Sequence, residues 1–183
     1  HTSWEYEQIV TDDETIYHEV EGFLSTYMPE KKEQLTLYQD ETITLHKLYG
    51  IETKIQELLQ TKVWLNSGAY LVIEQTEAMY VIDVNSGKNI AKKPTDSYIL
   101  SINLEATKEI MRQIRLRNLS GIILIDFINM EETSMKEQLM QELKRIARLD
   151  RIPTTIVDMT ALGLVEITRK KTKRSLKAQL NLS

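Results

Sequence analysis

Two short apolar runs, each ending next to an aspartate, constrain the fold of this chain more than any other feature. One covers residues 79–83 and ends at Asp83, and the other covers residues 122–127 and carries Asp126. Runs rich in β-branched residues are typical of buried strands, and the carboxyl ends of strands form the edge where α/β sheets bind ligands. The two runs therefore predict a sheet that brings both aspartates to one edge.

The chemistry of these two aspartates favours a bound cation. Two carboxylates converging at a half-buried edge repel each other unless a positive charge neutralises them. Mg²⁺ is suitable because it takes oxygen ligands and usually only one or two protein carboxylates. Asn85 follows Asp83 by two residues, on the same side of an extended chain, where its amide can hold a carboxylate or a water. Each aspartate alone also suits a helix cap or a turn, and Asn85 also suits an Asn-Ser-Gly turn.

Helical and strand-like patterns alternate along the rest of the chain. Apolar spacing predicts helices over residues 12–28, from about residue 50, and over residues 103–118 and 131–149. Strands are expected at residues 35–38, 70–74, 79–83, 122–127 and 154–159, with the second and third forming a hairpin, and an apolar run follows at residues 162–167. A basic loop is expected over residues 84–97. This alternation predicts an α/β protein with a mixed β-sheet flanked by helices.

Composition excludes several classes of site. The chain has no cysteine, so it offers neither a disulfide, nor a cysteine nucleophile, nor a thiolate zinc site, and we expect a reducing, cytoplasmic compartment. No stretch approaches the roughly 18 continuous apolar residues of a membrane span, and the first residues do not form a signal peptide. His18 and His46 are isolated. We expect them to be surface or core residues rather than metal ligands.

The net charge of −4 conceals an uneven distribution. Residues 1–42 hold 11 acidic residues and only two lysines, whereas the remainder holds 21 basic and 16 acidic residues. The strongest basic run lies near the end, at Arg169, Lys170, Lys171, Lys173, Arg174 and Lys177. Such a run is either a solvated tail or a source of phosphate contacts. Lys108, Arg112, Arg115 and Arg117 on the helix predicted over residues 103–118 have the same two interpretations.

Five motifs in this order resemble the ribonuclease E/G family. They are residues 81–87 (VIDVNSG), 103–106 (NLEA), 112–118 (RQIRLRN), 121–130 (GIILIDFINM) and 162–169 (LGLVEITR), with weaker similarity at residues 37–38, 49–52 and 62–68. The resemblance implies a deoxyribonuclease-I-like catalytic subdomain over residues 63–183 with a basic C-terminal tail. It implies part of a ribonuclease-H-like α/β segment over residues 1–62.

The resemblance also implies a specific site and reaction. In this family two aspartates hold a catalytic Mg²⁺ and an asparagine supports them, which correspond here to Asp83, Asp126 and Asn85. Mn²⁺ is a possible substitute for Mg²⁺. The implied reaction is hydrolysis inside single-stranded RNA during RNA processing and decay, leaving 5′-phosphate and 3′-hydroxyl ends. Glu77 is either a further carboxylate near the metal or an acidic residue of the hairpin turn.

The chain departs from the family pattern in three places. It has no counterpart of the family's oligonucleotide-binding barrel and 5′-end sensor, so we expect base-stacking aromatic surfaces to be missing. It also lacks the cysteine pair that shares zinc between subunits, so that link in a homo-oligomer of the full-length protein is missing here. Asn129 stands where an aspartate is common. Two other functions stay open: a non-catalytic RNA-binding or assembly module, and another metal-dependent phosphoesterase, such as one that cleaves DNA.

Overall fold

The computed structural model describes residues 6–87 and 95–180. The chain divides into two compact units, His1–Gln56 and Glu57–Ser183. The boundary that we predicted between residues 62 and 63 lies six residues after this division between Gln56 and Glu57. The assignment of the two parts to named subdomains stays a prediction.

The first unit contains a small parallel pair of strands and three helices. Their bounds are β1 (Ile9–Thr11), α1 (Glu14–Tyr27), β2 (Leu35–Leu37), α2 (Leu45–Leu48) and α3 (Ile51–Leu58), of which the last extends two residues past the unit boundary. Asp13 caps α1 by accepting a hydrogen bond from the backbone N–H of Ile16 at 2.9 Å. The helix ends before Pro29, which opens a 3₁₀ helix. The helix and strand predicted from the sequence in this region are confirmed.

The second unit contains one six-stranded mixed sheet. Its elements are β3 (Lys62–Trp64), β4 (Tyr70–Gln75), β5 (Met79–Asn85), α4 (Asp96–Leu116), β6 (Gly121–Asp126), α5 (Thr133–Ala147), β7 (Thr154–Met159), β8 (Leu164–Arg169) and α6 (Leu176–Gln179). The strand order is β3-β4-β5-β6-β8-β7, and only the β5–β6 pair is parallel. The prediction of an α/β fold with a mixed sheet is confirmed.

The core of this unit lies between one face of the sheet and the helices α4 and α5. Alternate strand residues enter it, as shown by the buried pairs Ile82 with Val84 and Ile123 with Ile125. Helix α4 contributes a stripe that includes Ile110, and α5 contributes a second stripe. Side chains between the buried strand positions project from the opposite face, because successive residues of a strand alternate. We call this opposite surface the open face; its central residues are Lys62, Trp64, Tyr70, Val72, Val81, Asp83, Asn85, Leu124, Asp126 and Leu164.

Several boundaries differ from the sequence prediction. Helix α4 begins at Asp96 rather than near residue 103, and the Thr95 side chain accepts a hydrogen bond from the backbone N–H of Tyr98. The expected basic loop is therefore shorter at both ends, since Asn85 belongs to β5. Its lysines at positions 88, 92 and 93 lie outside the described residues. The apolar run at residues 162–167 becomes strand β8 only from Leu164 onward, because Gly163 forms a turn with a φ of +87°.

The short edge strand β3 has no counterpart among the predicted strands. Its three residues follow a turn after α3 and pair with β4 in an antiparallel register. Across residues 6–87 and 95–180, no helix combines the length and the apolar character that crossing a bilayer requires.

Candidate metal centre

Asp83 and Asp126 are direct neighbours across the parallel strand pair of the six-stranded sheet. Asp83 on β5 is the register partner of Asp126 on β6. Adjacent strands lie about 4.8 Å apart, and paired residues project from the same face of the sheet. Asp83 is half-buried and Asp126 is exposed. The two carboxylates therefore lie within reach of a single ion. They lie near the carboxyl ends of β5 and β6, as the sequence predicts.

Asn85 completes the group of polar side chains on this edge. Its Nδ2 donates a hydrogen bond to Oδ2 of Asp83. The two residues are separated by Val84, which points into the core with 5% of its surface exposed, so Asp83 and Asn85 share the open face. This bond fixes the orientation of the Asp83 carboxylate. It leaves the second carboxylate oxygen of Asp83 and the amide oxygen of Asn85 available to other partners.

The oxygen donors at this edge fit Mg²⁺. The part of the chain that the structure describes contains no group of three or more His, Cys, Asp or Glu side chains that could hold a metal ion. Two carboxylates and an amide oxygen would be a poor set for zinc, which prefers nitrogen and sulfur and takes three or four protein ligands. Mg²⁺ is commonly bound through one or two carboxylates and keeps several waters. The binding of a metal by Asp83 and Asp126 stays a prediction.

Asn103 anchors the segment that follows Asp126. This residue lies on α4 with no exposed surface. Its Nδ2 donates to the backbone oxygen of Ile128 at 2.8 Å, and its Oδ1 accepts from the backbone N–H of the same residue at 3.2 Å. Phe127 and Met130 on either side are buried in the core. The chain leaving β6 is thereby held by both polar and apolar contacts.

Glu105 lies on α4 two residues after Asn103, and it holds the loop between β3 and β4. Its Oε1 accepts hydrogen bonds from the backbone N–H groups of Asn66 at 2.8 Å and Ser67 at 3.3 Å. The same loop contacts the chain just after β5, because a Cβ at Gly87 would lie 2.4 Å from the backbone oxygen of Gly68. Glu105 therefore supports, through this loop, the chain that follows Asn85.

Asn103 and Glu105 are functional candidates that we did not identify from the sequence. We recognised both only as members of the motif at residues 103–106. One signal was available for Asn103: it occupies the inward stripe of α4 with Ala106 and Ile110, where a polar side chain needs a hydrogen-bonding partner. Sequence alone does not identify that partner, which lies 25 residues away.

Lys136 is a further residue that we did not single out. It lies half-buried on α5 and lines a small cleft beside Asp126, together with Asn129 and Leu162. An ammonium group in this position can attract a phosphate toward the carboxylate edge. Asn129 is exposed in the same cleft, so it lies close to the candidate centre.

Glu77 does not belong to this centre. It is exposed in the turn between β4 and β5, before the start of β5. Met79 at the start of β5 already lies four residues from Asp83, which corresponds to about 13 Å along a strand. Of the two interpretations of Glu77, the structure supports an acidic residue of the hairpin turn.

Two arginines that we considered for phosphate contacts are buried. Arg169 has 4% of its surface exposed and pairs with Asp150 at 2.8 Å, so it is not part of a solvated tail. Arg117 is also buried and donates to the backbone oxygen of Gln60 and to the side chain of Gln113, both at 2.7 Å. The other members of the basic run stay exposed: Lys170, Lys171, Lys173, Arg174 and Lys177.

The basic run is attached to the second unit rather than extended from it. Nδ2 of Asn118 donates to the backbone oxygens of Lys173 and Arg174, at 3.2 and 2.9 Å. The backbone N–H of Leu176, the first residue of α6, donates to the backbone oxygen of Arg117 at 2.8 Å. These contacts hold the run near the end of α4.

Comparison with known proteins identifies one family. The model of the ribonuclease E/G family matches residues 1–172. Ribonuclease G of Haemophilus influenzae is 42% identical over 170 residues, which cover 93% of this chain and 34% of that protein. Ribonuclease G of Escherichia coli K12 is 40% identical over 172 residues, covering 94% of this chain and 35% of that protein. Ribonuclease E of Synechocystis is 40% identical over 136 residues, which cover 74% of this chain and 20% of that protein.

The chain thus spans about a third of the length of the ribonuclease G relatives that it matches. The matched region contains every element of the candidate centre, from β3 to β8. It ends within the exposed basic run, before α6.

Proposed function

The chain belongs to the ribonuclease E/G family, and we propose that it is the catalytic portion of a Mg²⁺-dependent endoribonuclease that hydrolyses single-stranded RNA. The observation that carries this proposal is the register pairing of Asp83 with Asp126, with Asn85 bonded to Asp83. Both aspartates lie in motifs that resemble those of the family and within the region that the family model matches. The expected context is RNA processing and decay.

Asp83 and Asp126 would hold the metal ion through their carboxylate oxygens. When bound, Mg²⁺ stabilises negative charge on phosphoryl oxygens, lowers the pKa of water and orients the reacting groups. The amide of Asn85 restrains one oxygen of Asp83, so that the other oxygen keeps a fixed direction. This division of roles requires no covalent nucleophile. It is consistent with products that carry a 5′-phosphate and a 3′-hydroxyl.

Positive side chains of the second unit would position the RNA backbone. Lys136 lines the cleft beside Asp126, and its half-buried position limits the directions in which its ammonium can point. The exposed residues Lys170, Lys171 and Lys173 follow β8 at the opposite end of the sheet, because Arg169 pairs with Gly121 whereas Leu164 pairs with Asp126, so they would contact RNA that extends away from the centre. Lys and Arg contacts to phosphates supply affinity that does not depend on sequence and that weakens as salt rises.

Cleavage of end-labelled single-stranded RNA by the chain, with Mg²⁺ or Mn²⁺ and with chelator, tests the proposal. We expect metal-dependent internal cleavage, with 5′-phosphate and 3′-hydroxyl ends on the products, and loss of cleavage in Asp83→Asn and in Asp126→Asn. Glu74→Gln is the matched control, because Glu74 is an exposed acid on the neighbouring strand β4. We expect its activity to equal that of the unsubstituted chain.

Metal titration by calorimetry separates metal binding from catalysis. Saturable binding should disappear in the double variant Asp83→Ala with Asp126→Ala, and Asn85→Ala should weaken it roughly 10- to 100-fold, as loss of an outer partner of a metal ligand commonly does. Binding that persists unchanged in the double variant would contradict the proposed site. Equal cleavage of matched DNA would indicate a broader phosphoesterase, and RNA binding without cleavage would indicate a binding module.

A further inference from the structure

An exposed aromatic pair lies on the edge of the same open face. Trp64 on β3 has 63% of its surface exposed. Its ring centroid is 5.1 Å from that of Tyr70 on β4, and the two rings are tilted by 59°. The ammonium of Lys62 lies over both rings, 4.0 Å from the centroid of Trp64 and 3.6 Å from that of Tyr70. A large aromatic side chain so exposed at a sheet edge suggests a binding role.

The strand register connects this cluster to the candidate metal centre. Trp64 pairs with Tyr70, and Tyr70 pairs with Asn85. In the adjacent row, Lys62 pairs with Val72, which in turn pairs with Asp83. Two strand spacings separate Trp64 from Asn85, which corresponds to about 10 Å. The aromatic pair and the two carboxylates are therefore parts of one continuous surface.

The chemistry of this cluster matches a nucleobase with its phosphate. Aromatic rings stack on any base, because every base has a π-face, and a base that displaces the Lys62 ammonium from above the rings would leave it free to attract the backbone. An apolar partner such as a hydrophobic peptide fits less well, because the residues next in register are the polar Asn85 and Asp83. The substrate already proposed for this face is single-stranded RNA, which supplies both a base and a phosphate.

We infer that Trp64 and Tyr70, with Lys62, form a base-stacking subsite that holds a nucleotide of single-stranded RNA beside the site of cleavage. The identity of the ligand rests on the proposed function. From the sequence we expected base-stacking aromatic surfaces to be missing. This subsite instead belongs to the sheet that carries Asp83 and Asp126.

Binding of single-abasic RNAs tests the subsite without relying on catalysis. Short single-stranded RNAs, identical except for one abasic position moved along the chain, are titrated with protein in chelator and followed by fluorescence anisotropy. One abasic position should weaken binding about 5- to 150-fold, the range that stacking of one base contributes. Trp64→Ala should weaken binding of the complete RNA by a similar factor and remove the effect of that abasic position. Trp64→Phe should retain most of the affinity for the complete RNA and most of the effect of that abasic position.

Two further variants control the experiment. Tyr27→Ala removes an aromatic residue that is 70% exposed in the first unit, and it should leave the abasic profile unchanged. Lys62→Ala should reduce the slope of log affinity against log salt concentration by about 0.7, the value for one phosphate contact on a single strand. Circular dichroism of each variant checks that the fold is retained.

The outcomes separate this inference from the proposed function. Metal-dependent cleavage with an abasic profile that is the same in Trp64→Ala and the unsubstituted chain would overturn the subsite and leave the endonuclease proposal standing. A Trp64-dependent abasic profile without metal-dependent cleavage would support the subsite and overturn the endonuclease proposal. A chain that binds none of the RNAs would overturn the subsite.

Discussion

The buried side chain of Asn103 exchanges two hydrogen bonds with the backbone of Ile128, two residues after Asp126. Because both the donor and the acceptor of one peptide segment are bonded to one amide, the segment has a single position relative to α4. The same helix holds the loop at Asn66 and Ser67 through Glu105. Helix α4 thus positions the chain segments next to both candidate metal ligands.

We predict that Asn103→Ala weakens metal binding as well as stability. The substitution leaves two backbone groups of Ile128 without their partners, which costs about 1–3 kcal/mol for a buried group, and it releases the segment after Asp126. Urea denaturation and metal calorimetry measure the two effects. The control is Thr107→Val, which removes a buried hydroxyl that bonds to the backbone oxygen of Asn103 at 2.9 Å. It should lower stability but leave metal affinity unchanged; an equal loss of affinity in both variants would contradict the positioning role.

We predict that Gly87→Ala distorts the end of β5. Gly87 has a φ of +73°, and a Cβ there would lie 2.4 Å from the backbone oxygen of Gly68. The positive φ alone costs about 1 kcal/mol for alanine, and the clash with backbone adds about 1–3 kcal/mol. Gly121→Ala is the matched control, because its φ is +89° but nothing lies within 4 Å of its Cβ.

Comparison of the two glycine variants separates steric contact from backbone strain. Denaturation should show a larger loss of stability for Gly87→Ala than for Gly121→Ala. Metal affinity should fall only in Gly87→Ala, since Gly87 follows Asn85 by two residues. Equal losses of stability in the two variants would show that the contact with Gly68 contributes nothing.

The juxtaposition of Asp83 and Asp126 was predictable from the sequence because it depends on strand geometry. Each aspartate ends an apolar run, and the helix between the runs allows parallel pairing, which requires a crossover connection. The roles of Asn103 and Glu105 were not predictable, because they depend on contacts with backbone groups 25 and 39 residues away. The family motifs identify such residues but do not say what they touch.

Local patterns also failed where side-chain type suggested the wrong environment. Arg169 belongs to a basic run in the sequence, yet it follows Val165 and Ile167 at alternate positions of β8 and therefore points into the protein. Strand β3 has only three residues, two of them exposed, so its sequence carries too little periodicity to identify it. The environment of β3 depends on its pairing with β4, whereas that of Arg169 follows from its alternate position in β8.

We predict that Mg²⁺ stabilises the fold and that the effect requires both aspartates. Mg²⁺ at about 100 times its dissociation constant should raise the free energy of unfolding by roughly 2.7 kcal/mol. In chelator, Asp126→Asn should be as stable as the unsubstituted chain or more stable by up to about 1 kcal/mol, because like charges directly opposite on adjacent strands destabilise a sheet. Thermal denaturation with and without Mg²⁺ measures both effects. A Mg²⁺-induced rise that persists in Asp126→Asn would place the stabilising ion elsewhere.

The final prediction concerns the buried pair of Asp150 and Arg169, whose side chains are 3% and 2% exposed. Burial alone raises the pKa of Asp150, but hydrogen bonds from Arg169, from the backbone N–H of Ile152 and from the hydroxyl of Thr154, together with the charge of Arg169, hold its pKa below the ordinary value. A carboxyl with a lower pKa in the folded state stabilises the fold above its unfolded pKa of about 3.9, and this contribution is lost as pH falls through the folded pKa.

Asp150→Asn should therefore destabilise the protein by about 3–5 kcal/mol at neutral pH, because Arg169 stays buried without its counterion. The difference from the unsubstituted chain should shrink as pH falls below about 4, where protonation removes the same charge. Urea denaturation at a series of pH values measures this difference in the free energy of unfolding. Glu142→Gln is the control: Glu142 pairs with Arg145 at 2.7 Å, but the arginine is 60% exposed, so its loss should cost less than about 1 kcal/mol. A difference for Asp150→Asn that is constant across the acid range would show that the charge of Asp150 does not stabilise the fold.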